Sequence, residues 1–78
     1  MKARIYLADG MICADLENGS QLVHTDAVEL ADQLWALNVA HDEVRLVDWH
    51  EDPDRAPLAG QKIAIHARLR LHENGYPD

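Results

Sequence analysis

Two turn dipeptides near the N-terminus restrict the fold of this chain more than any other feature of its sequence. Asp9-Gly10 and Asn18-Gly19 separate three short apolar runs within residues 4–24. Dipeptides of this kind favour tight hairpin turns, the first of them a type I′ turn, and the flanking apolar runs are typical of strands. The first third of the chain is therefore predicted to form a three-stranded antiparallel meander.

The segment from Asp26 to Asn38 changes to a helical pattern. Its apolar residues recur three or four positions apart, while acids fall mainly on the opposite side. Thr25 or Asp26 can cap this helix, Asp26 and Glu29 have the spacing of a capping box, and Asn38 is a plausible terminator. The following residues, 43–49, return to an extended, partly alternating pattern that predicts a fourth strand.

Residues 61–73 satisfy two patterns at once. Apolar and polar side chains alternate, which is typical of a strand with one basic face, whereas Ala, Leu and Arg are good helix formers and residues 74–77 (Asn-Gly-Tyr-Pro) resemble a helix stop. At 100° per residue the apolar positions split into two groups, so a strand is favoured over a helix. The fold class is α+β in either case. We expect a small antiparallel sheet in the order β-β-β-α-β, then a fifth strand or a C-terminal helix, packed on one amphipathic helix in a single domain, 1–78.

The predicted element order is similar to that of the small truncated ribonuclease-H-like domains of some bacterial antitoxins. The chain has none of the motif residues of those domains. The resemblance therefore concerns the fold alone and implies no function.

The charge balance and the single cysteine restrict the partners and the compartment. Seven Lys and Arg stand against fourteen Asp and Glu, which gives a formal charge of −7. This charge repels nucleic-acid phosphates and favours basic protein partners, although it also serves to keep a small protein soluble. With Cys13 alone no internal disulfide can form, and no apolar run suits a signal or membrane segment, so we expect a cytoplasmic protein without a membrane partner.

No motif for metal binding, cofactor binding or catalysis is found in the sequence. The five histidines lack the spacing of metal ligands. The acid cluster 48–54 fails the EF-hand pattern, because the twelfth position of the candidate loop is Ala59 or Ile63, according to its starting residue. Ser20, Thr25 and Cys13 lie in no nucleophile motif, and the glycines stand singly, without a phosphate-binding signature. We therefore expect no metal, no cofactor and no enzymatic activity.

The acid-rich stretch 41–54 is the leading candidate for a binding surface. It holds six acids and Trp49 against one base, Arg45. An aromatic side chain within an acidic rim suits a basic protein partner, as in a small regulator, inhibitor or adaptor of the kind that phages and mobile elements encode. The alternative is that Trp49 completes the core beside the acids of a solvated loop, while Trp35 lies at the edge of the buried helix face. The residues predicted to bind the partner are Asp48, Trp49, Glu51, Asp52 and Asp54.

The last segment supplies a second candidate surface of opposite charge. As a strand, it would place on one basic face the residues Lys62, His66, Arg68, Arg70 and His72. Such a face could bind nucleic acid, which the net charge makes the less favoured partner, or could pair with the acidic stretch of a second copy in a homodimer. Its alternative is a solvated face with a few weak ion pairs.

Overall fold

The computed structural model describes residues 1–75 of the chain and contains four strands and two α-helices. A 3-10 turn, His41–Glu43, precedes the fourth strand. The elements are β1 (Ala3–Ala8), β2 (Met11–Leu16), β3 (Gln21–His24), α1 (Ala27–Ala36), β4 (Val44–Leu46) and α2 (Ala59–Asn74). The predicted α+β class is confirmed. Residues 76–78, which include part of the predicted helix stop and the end of the predicted domain, lie outside the described residues.

The four strands form one mixed sheet in the order β3-β2-β1-β4. The meander is confirmed, since β1 pairs with β2 and β2 with β3 in antiparallel fashion. The expectation of a wholly antiparallel sheet was wrong, because β4 runs parallel to β1. The physical reason is that α1 carries the chain back to the end of the sheet where β1 begins, and such a crossover joins parallel strands.

The two hairpin turns have the positive φ angles that their glycines favour. Asp9 and Gly10 have φ angles of 53° and 76°, as the predicted type I′ turn requires. The second connection is longer than two residues, with only Gly19 at a positive φ of 89°, and the Leu16 N–H donates to the Ser20 carbonyl across it. Both hairpins therefore form where the dipeptides stand, but the second uses a looser loop.

Local capping positions α1 as the sequence predicted. The Asp26 carboxylate accepts hydrogen bonds from the Val28 and Glu29 N–H groups. The full capping box is absent, because the Glu29 carboxylate pairs with His24 instead, at 3.0 Å. Asn38, with a φ of 66°, ends the helical turn as expected.

The last segment is a helix, so the preference for a strand was wrong. Four strands about 4.8 Å apart make a sheet face roughly 14 Å wide, and one helix about 10 Å across covers only part of it. Both helices therefore lie on the same face, and α2 contributes the fully buried Ile65 and Leu69, four residues apart, to the main core. The alternating residue Ile63 is 69% exposed. The need to cover the sheet face therefore makes this segment a helix, although its apolar residues alternate with the two-residue period of a strand.

The opposite face of the sheet carries a smaller cluster. Tyr6, Cys13 and Val47 are buried there, beneath the segment that connects β4 with α2. The Leu7 N–H donates to the Arg55 carbonyl at 2.7 Å, which ties this connection to β1 beyond the last paired residue of β4. The connecting segment is thus bonded to β1 at Val47, whose N–H donates to the Ile5 carbonyl, and again at Arg55.

Candidate functional site

Two neighbouring carboxylates hold the acidic loop, which we define as residues 48–54, in a series of tight turns. Asp48 accepts a hydrogen bond from the His50 N–H through its side chain, and its carbonyl accepts from the N–H groups of Glu51 and Asp52. Asp52 repeats the arrangement by accepting from the Asp54 N–H. The pKa of Asp48 is lowered, first by the hydrogen bond from His50. Asp48 and Asp52 therefore shape the loop through their own backbone.

The remaining acids of the loop differ in their partners. Glu51 forms an ion pair with Arg45, with 2.7 Å between Oε1 and Nη2. Within residues 1–75, the Asp54 carboxylate forms neither an ion pair nor a hydrogen bond. The loop thus presents less free negative charge than its composition indicates, and Asp54 is its most available carboxylate.

Trp49 stands out of this loop toward solvent. Its side chain is 62% exposed, and its ring lies 4.2 Å from the His50 ring, centroid to centroid, tilted by 33°. The alternative expectation that Trp49 completes the core was wrong, because Val47, two residues earlier, is fully buried against Tyr6 and Cys13. The chain leaves the sheet immediately after Val47, which carries Trp49 away from the core.

The predicted basic face does not exist as a single surface. Arg68 and His72 are four residues apart on α2 and both turn toward α1, where they contact Asp32 at 2.7 and 2.6 Å. The Arg68 hydrogen bond, followed by that of His72, lowers the pKa of Asp32 to about 2 against the opposing effect of its partial burial. His72 also stacks on Trp35, with 5.4 Å between ring centroids and 14° between planes. We call these residues the Asp32 clamp, which joins the two helices.

The other three basic residues remain together on the outer side of α2. Lys62, His66 and Arg70 lie at four-residue spacing and, with Ile63 and Ala67, line a shallow groove of about 310 Å³, the α2 groove. Burial, followed by the charges of His41 and Arg70, lowers the pKa of His66. In the part of the chain that the structure describes, Lys62 and Arg70 have no ion-pair partner. The groove therefore combines an apolar floor with cationic ends.

A polar cluster on the second sheet face was not predicted from the sequence. The Tyr6 hydroxyl lies 3.2 Å from Asp15 and accepts a hydrogen bond from Gln21 at 2.8 Å. The guanidinium groups of Arg4 and Arg55 lie over the Tyr6 ring, at 5.5 and 5.7 Å. The alternation of β1 was the available signal, since it places Arg4 and Tyr6 on the face opposite Ile5. Every polar side chain here has a neighbour, which is typical of a structural cluster.

Other chemistry has little support in the described residues. Among residues 1–75, no group of three or more His, Cys, Asp or Glu side chains is arranged to hold a metal ion. Cys13 is a buried free thiol whose pKa is raised by that burial, as in an inert structural cysteine. The two helices within this range are also too short or too polar to span a membrane.

The chain matches no family model, no curated protein and no solved structure. The geometry and charge of the acidic loop and the α2 groove are therefore the only basis for a functional proposal.

Proposed function

We propose that this protein is a non-enzymatic protein-binding domain, a small regulator, inhibitor or adaptor of the cytoplasm, and that its acidic loop docks on a basic surface of the partner. The observation that carries the proposal is the exposure of Trp49 on a loop already locked by two turns. An exposed Trp offers roughly 150–250 Å² of apolar contact, and such residues dominate the energetics of many interfaces.

Preorganisation of the loop supports the same function. The turns centred on Asp48 and Asp52, together with the Arg45–Glu51 ion pair, restrict the loop before any partner arrives. A loop that is ordered in the free protein loses less conformational entropy on binding, so more of its contact energy appears as affinity. Exposed carboxylates on such a loop attract a basic partner and fix the orientation in which it binds.

Nucleic-acid binding through α2 has less support than protein binding. Two of the five basic residues considered for it, Arg68 and His72, are engaged with Asp32. The remaining cations, Lys62 and Arg70, would neutralise few phosphates against a chain whose formal charge is −7. A salt-dependent gel shift with short RNA or DNA that is lost on Lys62→Ala with Arg70→Ala would revive this alternative.

The test of protein binding is affinity capture from the native host with matched variants, followed by titration of the captured partner. Trp49→Ala should raise the dissociation constant about 10- to 100-fold, as expected for an interface anchor. Glu51→Gln with Asp54→Asn should weaken binding less and should reduce its dependence on salt.

The control removes the same charge outside the loop, at the two hairpin turns. Asp9→Asn with Glu17→Gln changes two acids at the other turns, and Asn tolerates the positive φ at position 9. Capture that is equal for the wild type, Trp49→Ala and the charge variant would contradict the proposed surface. Capture lost equally in the control would show a dependence on net charge alone.

A further inference from the structure

We propose that the α2 groove binds the acidic loop of a second copy of this chain, so that the protein self-associates through two equivalent contacts of loop with groove. The inference rests on the proposed function, because it uses the same loop. It assigns an occupant to the one cationic, partly apolar surface described above. The partner is identified by charge and apolar complementarity.

The cations of the groove form no direct ion pair within residues 1–75, although Asp48 and Glu73 lie near enough for the charges of Lys62 and Arg70 to contribute to lowering the pKa of each acid. Three other cations, Arg45, Arg55 and Arg68, each form an ion pair. Lys62 and Arg70 have none within residues 1–75 and flank the apolar floor of the groove. Ile63 on this floor is 69% exposed, and an exposed apolar strip between two cations suits a segment that is both acidic and apolar.

The acidic loop has the complementary properties. Trp49 supplies an exposed indole, and Asp54 supplies a carboxylate without an ion-pair partner within residues 1–75, while Glu51 forms an exposed ion pair with Arg45 for which another cation can compete. Within residues 1–75 the loop forms no hydrogen bond or ion pair with the groove of its own chain, and the Leu7 N–H bond to the Arg55 carbonyl and the Arg45–Glu51 pair fasten it to the sheet. Its apolar and acidic groups are therefore available to another molecule.

The position of the loop suits a two-fold arrangement. The chain runs from the loop through residues 55–58 into α2. The Asp48 carboxylate is close enough to Lys62, in the first turn of α2, for this charge to contribute to lowering its pKa, after the larger effect of the His50 hydrogen bond. The loop thus adjoins the N-terminal end of the groove. If two copies of α2 pair in antiparallel fashion about a two-fold axis, each loop meets the far end of the other groove, near Arg70.

The net charge of the chain determines how its self-association should depend on salt concentration. Two copies at −7 each repel one another at long range, whereas the local pairs act at contact. Because the screening length falls from about 30 Å at 0.01 M salt to about 8 Å at 0.15 M, we expect self-association to be strongest near physiological salt. It should weaken at about 1 M salt, where the contact pairs are screened as well.

The experiment is sedimentation velocity on the purified full chain at concentrations from about 10 μM to about 1 mM, a range that covers dissociation constants of weak dimers. The groove variant is Lys62→Glu with Arg70→Glu, and the loop variant is Glu51→Lys with Asp54→Lys. Each should weaken self-association at least tenfold. The combination of all four substitutions should restore it to within a few-fold of the wild type, because it exchanges the two charges.

Two further variants keep the test independent of folding and of net charge. Ile63→Ser changes an exposed side chain and should weaken the dimer without a loss of helicity by circular dichroism. Lys2→Glu, at an exposed position outside the groove, should leave the dimer within a few-fold of the wild type. A wild type that is monomeric up to the highest concentration overturns the proposal. So does a dimer that survives both charge variants, or one that the combined variant fails to restore.

Partner capture separates this inference from the proposed function. A second copy and a basic partner would compete for the same loop, so the groove variant should capture the partner as well as the wild type or better. If self-association is absent while Trp49→Ala still loses the partner, the present inference fails alone. If the dimer forms and its charge exchange succeeds while no basic partner is captured, the proposed function fails alone.

Discussion

The Asp32 clamp allows a prediction whose size follows from the structure. Asp32→Asn removes the charge that binds Arg68 and His72 on α2, at 2.7 and 2.6 Å. The pKa of this carboxyl falls from 3.8 to about 2, which at 1.36 kcal/mol per unit sets a ceiling of roughly 2–3 kcal/mol on the differential stabilisation of the charged form. The Asp32 side chain is 38% exposed, so solvent screening reduces the contribution to about 1 kcal/mol.

The dependence on pH follows from the direction of the shift. A carboxyl whose pKa is lowered on folding stabilises the native state fully above its unfolded pKa of roughly 3.9 and loses that contribution as the pH falls toward about 2. The difference in unfolding free energy between the wild type and Asp32→Asn should therefore be largest from about pH 5 upward and should shrink between about pH 4 and 2.

The assay is urea unfolding followed by tryptophan fluorescence at several pH values, since Trp35 stacks on His72 and reports on the clamp directly. For a chain of this length a loss of about 1 kcal/mol corresponds to a fall in melting temperature of roughly 4–8 °C. Asp54→Asn is the matched control, because it makes the same change at an exposed carboxyl. If Asp32→Asn costs no more than Asp54→Asn, or if its cost grows on acidification, the reasoning is refuted.

Three further predictions test the fold and the site. Leu69→Ala should lower the free energy of unfolding by about 2–5 kcal/mol, because it opens a cavity in the main core. Ile63→Ala, at an exposed position on the same helix, should lower it by less than about 1 kcal/mol. Chemical denaturation of the two variants tests this difference. Gly10→Ala should lower the free energy of unfolding by about 1–2 kcal/mol, because a φ of 76° strains any residue with a side chain, although no atom obstructs the new Cβ. A thermal melt should show a lower midpoint. An unchanged midpoint would contradict the assigned turn. Trp49→Ala should leave the unfolding free energy within about 0.5 kcal/mol of the wild type, as expected at an exposed position, so a large loss in denaturation would show that Trp49 packs in the core after all.

Features that depend on neighbouring residues were predictable from the sequence. The Asp9-Gly10 turn needs two positive φ angles, and its two residue types favour that conformation wherever they occur between strands. The cap of α1 by Asp26 and its end at Asn38 are similarly local. The α+β class followed from these elements, because they account for most of the regular structure in the first half of the chain.

The structure of the last segment depended on contacts that are distant in sequence. Residues 61–73 have a strand-like alternation, yet they form a helix because the sheet face is too wide for α1 alone and Ile65 and Leu69 complete the core. The parallel direction of β4 likewise depends on the path that α1 takes across the sheet. The periodicity of a segment shows which secondary structures it can adopt. When it permits both a strand and a helix, the apolar surface of the sheet and α1 selects between them.

The candidate site shows the same division. The sequence by itself determined that acids and a Trp cluster at 48–54 and that basic residues gather in the last segment. Only the tertiary structure decided that Val47 is buried and Trp49 exposed, and that Arg68 and His72 are held by α1 while Lys62 and Arg70 form no ion pair with any of residues 1–75. The physical reason is that charge and residue type are properties of the chain, whereas exposure and pairing depend on which surfaces the fold brings together.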